Sequence, residues 1–423
     1  MKEKLTQLRQ DSLVQNSFYL MVSTAVMAAL GFLFWLIAAR LFSQDDIGIA
    51  TTLISAMTLI SYIGLLGFNS TLIRILPKSQ KRSQEINTAL LLSTSAATVV
   101  ATIYVLVIPL LAPGLSLVRD NVLYALGFIL LVALACINLL TSSIFIAFRA
   151  AKYNLLIDGT IMSLTKLALP FALVGLGAFG LFGAAGLGAA AALIASMYFL
   201  TKKFNYKPRI QIDTAMVRDV WKYSFSNYAA NLLNIAPTLI LPLVVLNHLG
   251  AAAAGYYYLG SMVANLLYTV VYAVAQSLFA EGSYADKTLR ELIKRSSLVI
   301  AAIMIPAVTV MYVGANFMLT IYGPSYAANA TELLQVLALA GPFVAVYTIV
   351  NVLLRITKLT KQIIIIDVIY MIVIAGLAEL WAKNGLVWVG YAWIIGNGVS
   401  GLAGLWFLWR HRHDKKVAAA ATL

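Results

Sequence analysis

NSFYLMVSTAVMAALGFLFWLIAARLFSQDDIG, residues 16–48, decides the fold. It opens on a polar pair, runs apolar for about 25 residues, breaks in a short acidic turn and restarts at a glycine. About 20 apolar residues are enough to cross a bilayer core as a helix. The same plan returns at 223–255, YSFSNYAANLLNIAPTLILPLVVLNHLGAAAAG. One offset of 207 aligns Ser17 with Ser224, Phe18 with Phe225, Gly48 with Gly255 and Ser70 with Ser277. The identities are few. Their weight comes from a single offset that keeps span lengths and turn in register, and it divides the chain into two six-helix halves.

Composition agrees. Of 423 residues, 61% are hydrophobic and 11% charged, with mean hydropathy +0.89. Soluble domains carry about 25% charged residues. Here the charges lie between long apolar runs, as in polytopic helical membrane proteins. The net charge of +14 is read as loop cations facing the cytoplasm rather than a nucleic-acid surface. The single cysteine, Cys136, excludes a disulfide framework or a cysteine-based metal site. The first apolar run is longer than the ~7–15 residues of a signal-peptide core, so it is expected to be retained as a helix.

Twelve spans are predicted, at about 16–41, 47–73, 86–111, 121–148, 154–178, 181–201, 220–247, 251–280, 292–320, 328–354, 361–382 and 385–409. With both termini cytoplasmic, alternate loops hold 26 of the 30 Lys and Arg residues, among them Lys2, Lys4 and Arg9, Lys222, Lys287, Arg355, Arg412, Lys415 and Lys416. The outer side holds Arg40, Arg119 and Lys383, and Lys166 lies inside a span. This satisfies the positive-inside rule. The expected fold is therefore an all-α polytopic protein of the cytoplasmic membrane, with two pseudo-symmetric six-helix lobes around a central cleft. The lobes are 1–201 and 220–409, joined by a linker at 202–219 and followed by a cytoplasmic tail, 410–423. The basic linker reads either as a strap on anionic headgroups or as a solvated connection. The tail HRHDKK reads as a solvated end rather than a metal clip, and no metal site is expected.

Polar residues fall at helical spacing on three spans. Asn227, Asn231, Asn234 and Thr238 share a face, as do Ser261, Asn265, Tyr268, Tyr272 and Gln276. In span two, Thr51, Ser55, Thr58, Tyr62 and Asn69 do the same. The offset of 207 maps Thr58 onto Asn265, Ser61 onto Tyr268 and Asn69 onto Gln276. Lipid cannot satisfy amides or hydroxyls. Such stripes serve either as interhelical packing contacts or as the wall of a wet cavity. Three asparagines on one face favour the cavity, and amides suit a neutral, hydroxyl-rich cargo.

Lys166 lies near the midplane, with Pro170 four residues on. It is either an anion ligand, or a member of a buried structural ion pair, or a snorkelling lysine. Arg40 is either a snorkelling anchor or a second cavity cation. Asp158 and Asp367 occupy corresponding places in spans five and eleven, as interfacial acids or as a proton or sodium relay. Glu332 and Glu379 are expected to be solvated, and Trp381, Trp388 and Trp393 to join an aromatic belt. No G-x-x-x-x-G-K-[ST] or H-E-x-x-H motif is present. Asp45–Asp46 is similar to the acidic pair of membrane glycosyltransferases, but the outer loops are short.

NSFYLMVST, AARLFSQDDIGIATTLISAM, SYIGLLGFNSTLIRILPK, FRAAKYNLLIDG and YGPSYAANATELLQVLAL together resemble polysaccharide flippases of the multidrug/oligosaccharidyl-lipid/polysaccharide exporter superfamily. The resemblance implies a V-shaped cleft opening alternately to each face and a polyprenyl-pyrophosphate-linked oligosaccharide as cargo. It implies coupling to a sodium or proton gradient without a bound cofactor. Lys166 and Arg40 are the pyrophosphate candidates it suggests. The stripes supply the sugar contacts, namely Asn227, Asn231, Asn234, Asn265, Tyr268, Tyr272, Gln276, Thr58 and Asn69. Asp158 and Asp367 are the candidates for ion coupling. The partners expected are the lipid-linked oligosaccharide, membrane lipids, and the polymerase and glycosyltransferases of the same pathway. A cation-coupled drug exporter of the same superfamily and a membrane glycosyltransferase are the competing readings.

Overall fold

The computed structural model describes residues 12–220, 224–284 and 289–411. Lys2, Lys4, Arg9, Lys222, Lys287 and the tail cations Arg412, Lys415 and Lys416 lie outside them. Two compact units divide the chain after Tyr228. The secondary-structure elements are all helices, with no strand among the described residues.

In the first unit, α1 (Ser12–Leu41) turns through Phe42 and Ser43 into α2 (Gln44–Gly64). Ser43 caps α2, its hydroxyl accepting from the Asp46 amide at 3.1 Å. The predicted second span does not run on to 73. Leu66 and Gly67 take φ of 50° and 86°, a left-handed geometry that ends a helix, and the chain restarts as α3 (Phe68–Ile75). Then come α4 (Arg82–Leu111) and α5 (Val122–Ala147). Span five opens with π-helical turns at Leu155–Met162 and continues as α6 (Ser163–Leu173). The wide turns lie upstream of Pro170, which sits inside α6.

Between α6 and α7 (Gly177–Phe204) the chain folds back on itself. Gly177, at φ 53°, supplies a backbone that L side chains avoid, and any Cβ there would sit 2.9 Å from an Asp46 carboxylate oxygen. Further on, a Cβ at Gly188 would lie 3.2 Å from the Lys166 Cβ and 3.1 Å from the Met162 carbonyl. Residues 22 apart on one continuous helix would be ~33 Å apart, so α6 and α7 form a close-packed hairpin.

The connection after α7 is tied down. Tyr206 donates to Asn87 Oδ1 at 2.5 Å, Asn87 Nδ2 to the Lys207 carbonyl at 3.1 Å, the Lys207 amide to Ser83 Oγ at 3.2 Å, and the Asp213 amide to Thr88 Oγ1 at 2.8 Å. All four bonds end on the first two turns of α4. Residues 205–213 are therefore a bonded strap rather than a loose linker, with Lys207, Arg209 and Ile210 exposed.

The second unit carries most of α8 (Phe225–Leu249), followed by α9 (Ala251–Tyr284), α10 (Leu289–Thr320), α11 (Pro324–Leu339), α12 (Gly341–Ile356), α13 (Thr360–Trp381) and α14 (Leu386–Arg410). The predicted tenth span is two helices. α11 and α12 meet at a 43° bend beside Pro342, whose missing N–H breaks the hydrogen-bond ladder. Pro237, Pro242 and Pro306 instead lie inside continuous helices. Ten helices among the described residues are long and apolar enough to cross a membrane, eleven with α11 and α12 as one bent span. That count takes Lys152–Phe204, hairpin included, as a single segment. The protein is a multi-pass membrane protein.

The two units repeat each other in detail. α2 and α9 begin 207 residues apart. Ser61 donates to the Val132 carbonyl of α5 at 3.2 Å, and Tyr268 donates to the Leu337 carbonyl of α11 at 2.5 Å. Later in each unit the offset becomes 209. α5 ends at Ala147 and α12 at Ile356, followed by left-handed Arg149 and Lys358. The closing amide-to-carbonyl bonds, Ala150 to Phe145 and Leu359 to Leu354, are each 2.9 Å.

Candidate functional site

Each unit carries a buried carboxylate held by the helix before it. In the first unit, Asp158 of the π-helical turns accepts from Asn138 Nδ2 at 3.2 Å and from the Ser142 hydroxyl, both on α5. In the second, Asp367 of α13 accepts at Oδ1 from the Tyr347 hydroxyl at 2.6 Å and from Asn351 Nδ2 at 3.0 Å, both on α12. The acid and its two donors are all displaced by 209 between units.

The environments of the two acids diverge. In the second unit, Asn234 Nδ2 of α8 donates to Tyr347 at 2.7 Å, and Arg355 Nε donates to Asn351 Oδ1 at 2.9 Å. Tyr370 stacks on Tyr347 with ring centres 4.5 Å apart and planes 3° from parallel. Asp367 is fully buried, and its Oδ2 has no partner among the described residues. Both oxygens of Asp158 are engaged.

This network forms one wall of a cavity of about 490 Å³. From α8 it is lined by Asn231, Asn234 and Thr238, and from α9 by Asn265, Tyr272 and Gln276. α12 adds Tyr347, Thr348, Asn351 and Arg355, α13 Tyr370 and α14 Asn397. Arg355, on the last turn of α12, is the charged residue among them. Such a lining offers amides and hydroxyls that both give and accept hydrogen bonds, and one planar guanidinium suited to a phosphate or carboxylate.

Five of the seven expected sugar contacts on α8 and α9 line this cavity. Asn227 does not; it is exposed one turn before Asn231 and falls in the first unit. Tyr268 is 2% exposed, and its hydroxyl is bound to Leu337 instead. In the first unit, the Thr51 and Ser55 end of the stripe is buried, with Thr51 donating to its own helix. Thr58 does likewise to Ile54 at 2.7 Å. Asn69 is half-buried, and its Oδ1 has no partner among the described residues.

Lys166 Nζ lies 4.4 Å above the ring of Phe34 and 5.8 Å from that of Trp35, both on α1. A desolvated cation over an aromatic face is stabilised by ~2 kcal/mol. No salt bridge to Lys166 is present among the described residues. Arg40 is exposed at the end of α1, beside an apolar groove with Leu36, Ile37, Leu41 and Phe171. Asp46 is committed elsewhere, because Oδ1 accepts from the Ala178 amide at the start of α7 at 2.9 Å and Oδ2 accepts from Ser43 Oγ at 2.6 Å. Glu379 is 59% exposed and pairs with His248 at 2.8 Å. Trp381 and Trp388 stay near the surface. Trp393 is 7% exposed and packs on Tyr370, inside the unit rather than in a belt.

Arg355 is the residue that sequence reasoning passed over. By its place at a span end it reads as one more loop cation. The signal was present, since Tyr347, Asn351 and Arg355 recur every four residues on the helix preceding Asp367.

Residues 13–279 match the family of polysaccharide biosynthesis proteins. The chain belongs to that family. The match runs from residue 13 through the rest of the first unit and into α9 of the second. No curated protein sequence matches the chain. Among solved structures it is similar to the lipid II flippase MurJ in an inward closed conformation, with TM-score 0.74, 14% identity, and 92% of this chain and 87% of that one covered. An inward-facing multidrug resistance MATE family transporter of the MOP superfamily matches with TM-score 0.63 and 16% identity over 96% of each chain. A MOP superfamily transporter from Pyrococcus furiosus, described as having a binding pocket of reversed polarity, matches with TM-score 0.61 and 15% identity, covering 97% and 96%. At these identities the likeness establishes a shared fold, and this family member has the MOP superfamily fold.

Proposed function

We propose that this protein is an alternating-access flippase, moving a polyprenyl-pyrophosphate-linked oligosaccharide across the cytoplasmic membrane for surface polysaccharide synthesis. The amide-lined cavity of the second unit carries this reading. A hydroxyl-rich head group loses water on entering the membrane, and Asn231, Asn234, Asn265 and Gln276 can replace those hydrogen bonds. Arg355 and Lys166 are the cations proposed to meet the diphosphate, and Arg40 is proposed to meet it at the outer end of α1. Membership in a polysaccharide biosynthesis family supports the cargo class. The MOP fold supports transport.

The chain crosses the membrane twelve times in this proposal. The hairpin at Gly177 splits Lys152–Phe204 into two passes, and α11 with α12 makes one bent pass. Six crossings per unit leave both termini in the cytoplasm, joined by the strap within 202–219. Direction comes from unequal affinity in the two states, biased by a proton or sodium ion at Asp367, while Asp158, bonded at both oxygens, serves mainly the stability of its unit.

The second reading is a cation-coupled drug exporter. What favours it is the buried Asp367 beside stacked Tyr347 and Tyr370, an acid and aromatic pair that suits an organic cation.

The test is complementation of a host that lacks its lipid-linked oligosaccharide flippase, with surface glycan measured alongside susceptibility to cationic drugs. The proposal expects restored glycan, a loss of at least tenfold in Asn234→Leu and Lys166→Met at matched abundance, and unchanged drug susceptibility. Drug resistance without glycan would replace it with the exporter reading.

A further inference from the structure

Asn351 joins two charges that have no direct contact. Its Oδ1 accepts from Arg355 Nε at 2.9 Å, and its Nδ2 donates to Asp367 Oδ1 at 3.0 Å. The two bonds fix each other, because an amide that turns its oxygen to Arg355 must turn its nitrogen to Asp367. The guanidinium spends one N–H on Asn351, and its Nη groups have no partner among the described residues. Arg355 is exposed and lines the cavity. Asp367 is buried, with one carboxylate oxygen that has no partner among the described residues.

Arg355 has a bland alternative role, because a cation on the last turn of a helix complements the helix dipole. The repeat separates the two roles. The place of Arg355 in the first unit is taken by Ile146, yet α5 ends in the same left-handed turn and closes with the same bond length. The place of Asn351 is taken by Ser142, which still donates to the buried acid. The fold therefore needs neither the arginine nor the longer amide. The second unit alone adds a cation at the cavity and a side chain long enough to connect it to the acid.

We propose that Asn351 couples an anion bound at Arg355 to a cation, proton or sodium, bound at Asp367. This deepens the flippase reading and rests on it. While Arg355 is unoccupied, its charge is relayed through the amide and stabilises ionised Asp367. A phosphate oxygen on the guanidinium withdraws that support, and Asp367 then favours a bound cation. By thermodynamic reciprocity, a cation at Asp367 strengthens anion binding at Arg355 by the same factor. The groups facing Asp367 are Tyr347, Asn351 and, through it, Arg355 from α12, Asn234 from α8 and Tyr370 from α13 itself. Asn397 of α14 lines the same cavity. Arg355 is the charged partner among them.

The experiment uses inorganic pyrophosphate as probe on the full-length purified protein. Its affinity is measured by calorimetry across a sodium titration at constant ionic strength and pH, and across pH 6–8 at fixed sodium. Wild type is expected to bind more tightly as sodium rises or pH falls, by about fivefold or more, the lower end of typical coupling. Arg355→Gln is expected to lose binding at least tenfold. Asp367→Asn is expected to bind without the dependence, and it corrects for the ionisation of the probe. Asn351→Ser is the decisive variant. Serine is the residue the first unit uses here, so folding is preserved. It can still donate to Asp367 but is too short to hold Arg355. It is expected to keep binding and lose most of the dependence, while Asn351→Gln restores part of it.

If Asn351→Ser retains the full dependence, the coupling does not run through Asn351, and the flippase reading stands. If pyrophosphate does not bind, or binds equally to Arg355→Gln, Arg355 is not an anion site. The inference then falls on its own, because the flippase reading is judged separately by surface glycan.

Discussion

Asp158 and Asp367 stand at the same place in their respective units, 209 residues apart, each held by donors at i and i+4 on the helix that precedes it. Their surroundings separate what the fold requires of this position from what the cavity adds. Both oxygens of Asp158 are bonded, and Arg355 has no counterpart beside it. Asp367 has one oxygen without a partner among the described residues and faces a polar cavity through Tyr347 and Asn351.

That contrast makes Asp158 chiefly a stability residue. Asp158→Leu strands Asn138 and Ser142 and should cost about 2–3 kcal/mol, the desolvation penalty of buried polar groups left unpaired. Asp158→Asn should melt near wild type and retain most transport. Asp367→Asn should melt near wild type and lose transport. Thermal melts and glycan export measured on the same preparations check all three.

Asp46 has a structural explanation that removes the main argument for an enzyme. Its carboxylate serves the starts of both α2 and α7. Asp46→Ala should destabilise by about 1–2 kcal/mol, as loss of a helix cap does, with Ala at the neighbouring exposed Asp45 nearly silent. Transport per folded molecule should be unchanged in the double variant. Abolished activity at full stability would instead point to glycosyl-transfer chemistry.

The strap should be insensitive to pH across the physiological range. Burial pushes the Tyr206 phenol up to about 12, so it remains a donor to Asn87. A folded value above the ordinary one means that this contribution is fully present below about pH 10 and is lost as pH rises through 12. Hydrogen exchange of the Lys207 and Asp213 amides should stay slow from pH 6 to 9 once the intrinsic rate is corrected, and should speed up in Tyr206→Phe.

The spans and the turn near residue 43 were legible in the sequence because lipid imposes length and polarity on every crossing helix, whatever its neighbours. The offset of 207 was legible for the same reason, and Ser61 and Tyr268, which it pairs, make equivalent bonds. The bend between α11 and α12 lies beside Pro342, a proline within a span that the sequence shows. The break at Leu66–Gly67 and the π-helical turns before α6 were not legible. They depend on left-handed residues and on packing between helices, which apolar periodicity does not encode. The amide faces of α8 and α9 showed which residues could wet a cavity, but not that Tyr268 turns to a carbonyl or that Trp393 is buried. Arg355 was hidden by its position, since a cation at a helix end satisfies the topology rule without revealing which way it faces. Lys166, expected to meet an anion or a buried partner, was found over Phe34, a contact with no spacing signature.

The central claim is that this protein moves a lipid-linked oligosaccharide. Its most direct test is reconstitution of the purified full-length chain into liposomes carrying a fluorescent polyprenyl-pyrophosphate-linked oligosaccharide, with transbilayer movement followed by quenching from outside. The account predicts movement at least tenfold faster than in protein-free vesicles and near the protein-free rate for Asn234→Leu. Movement at the protein-free rate for wild type, in vesicles where the same preparation transports an organic cation, would contradict it.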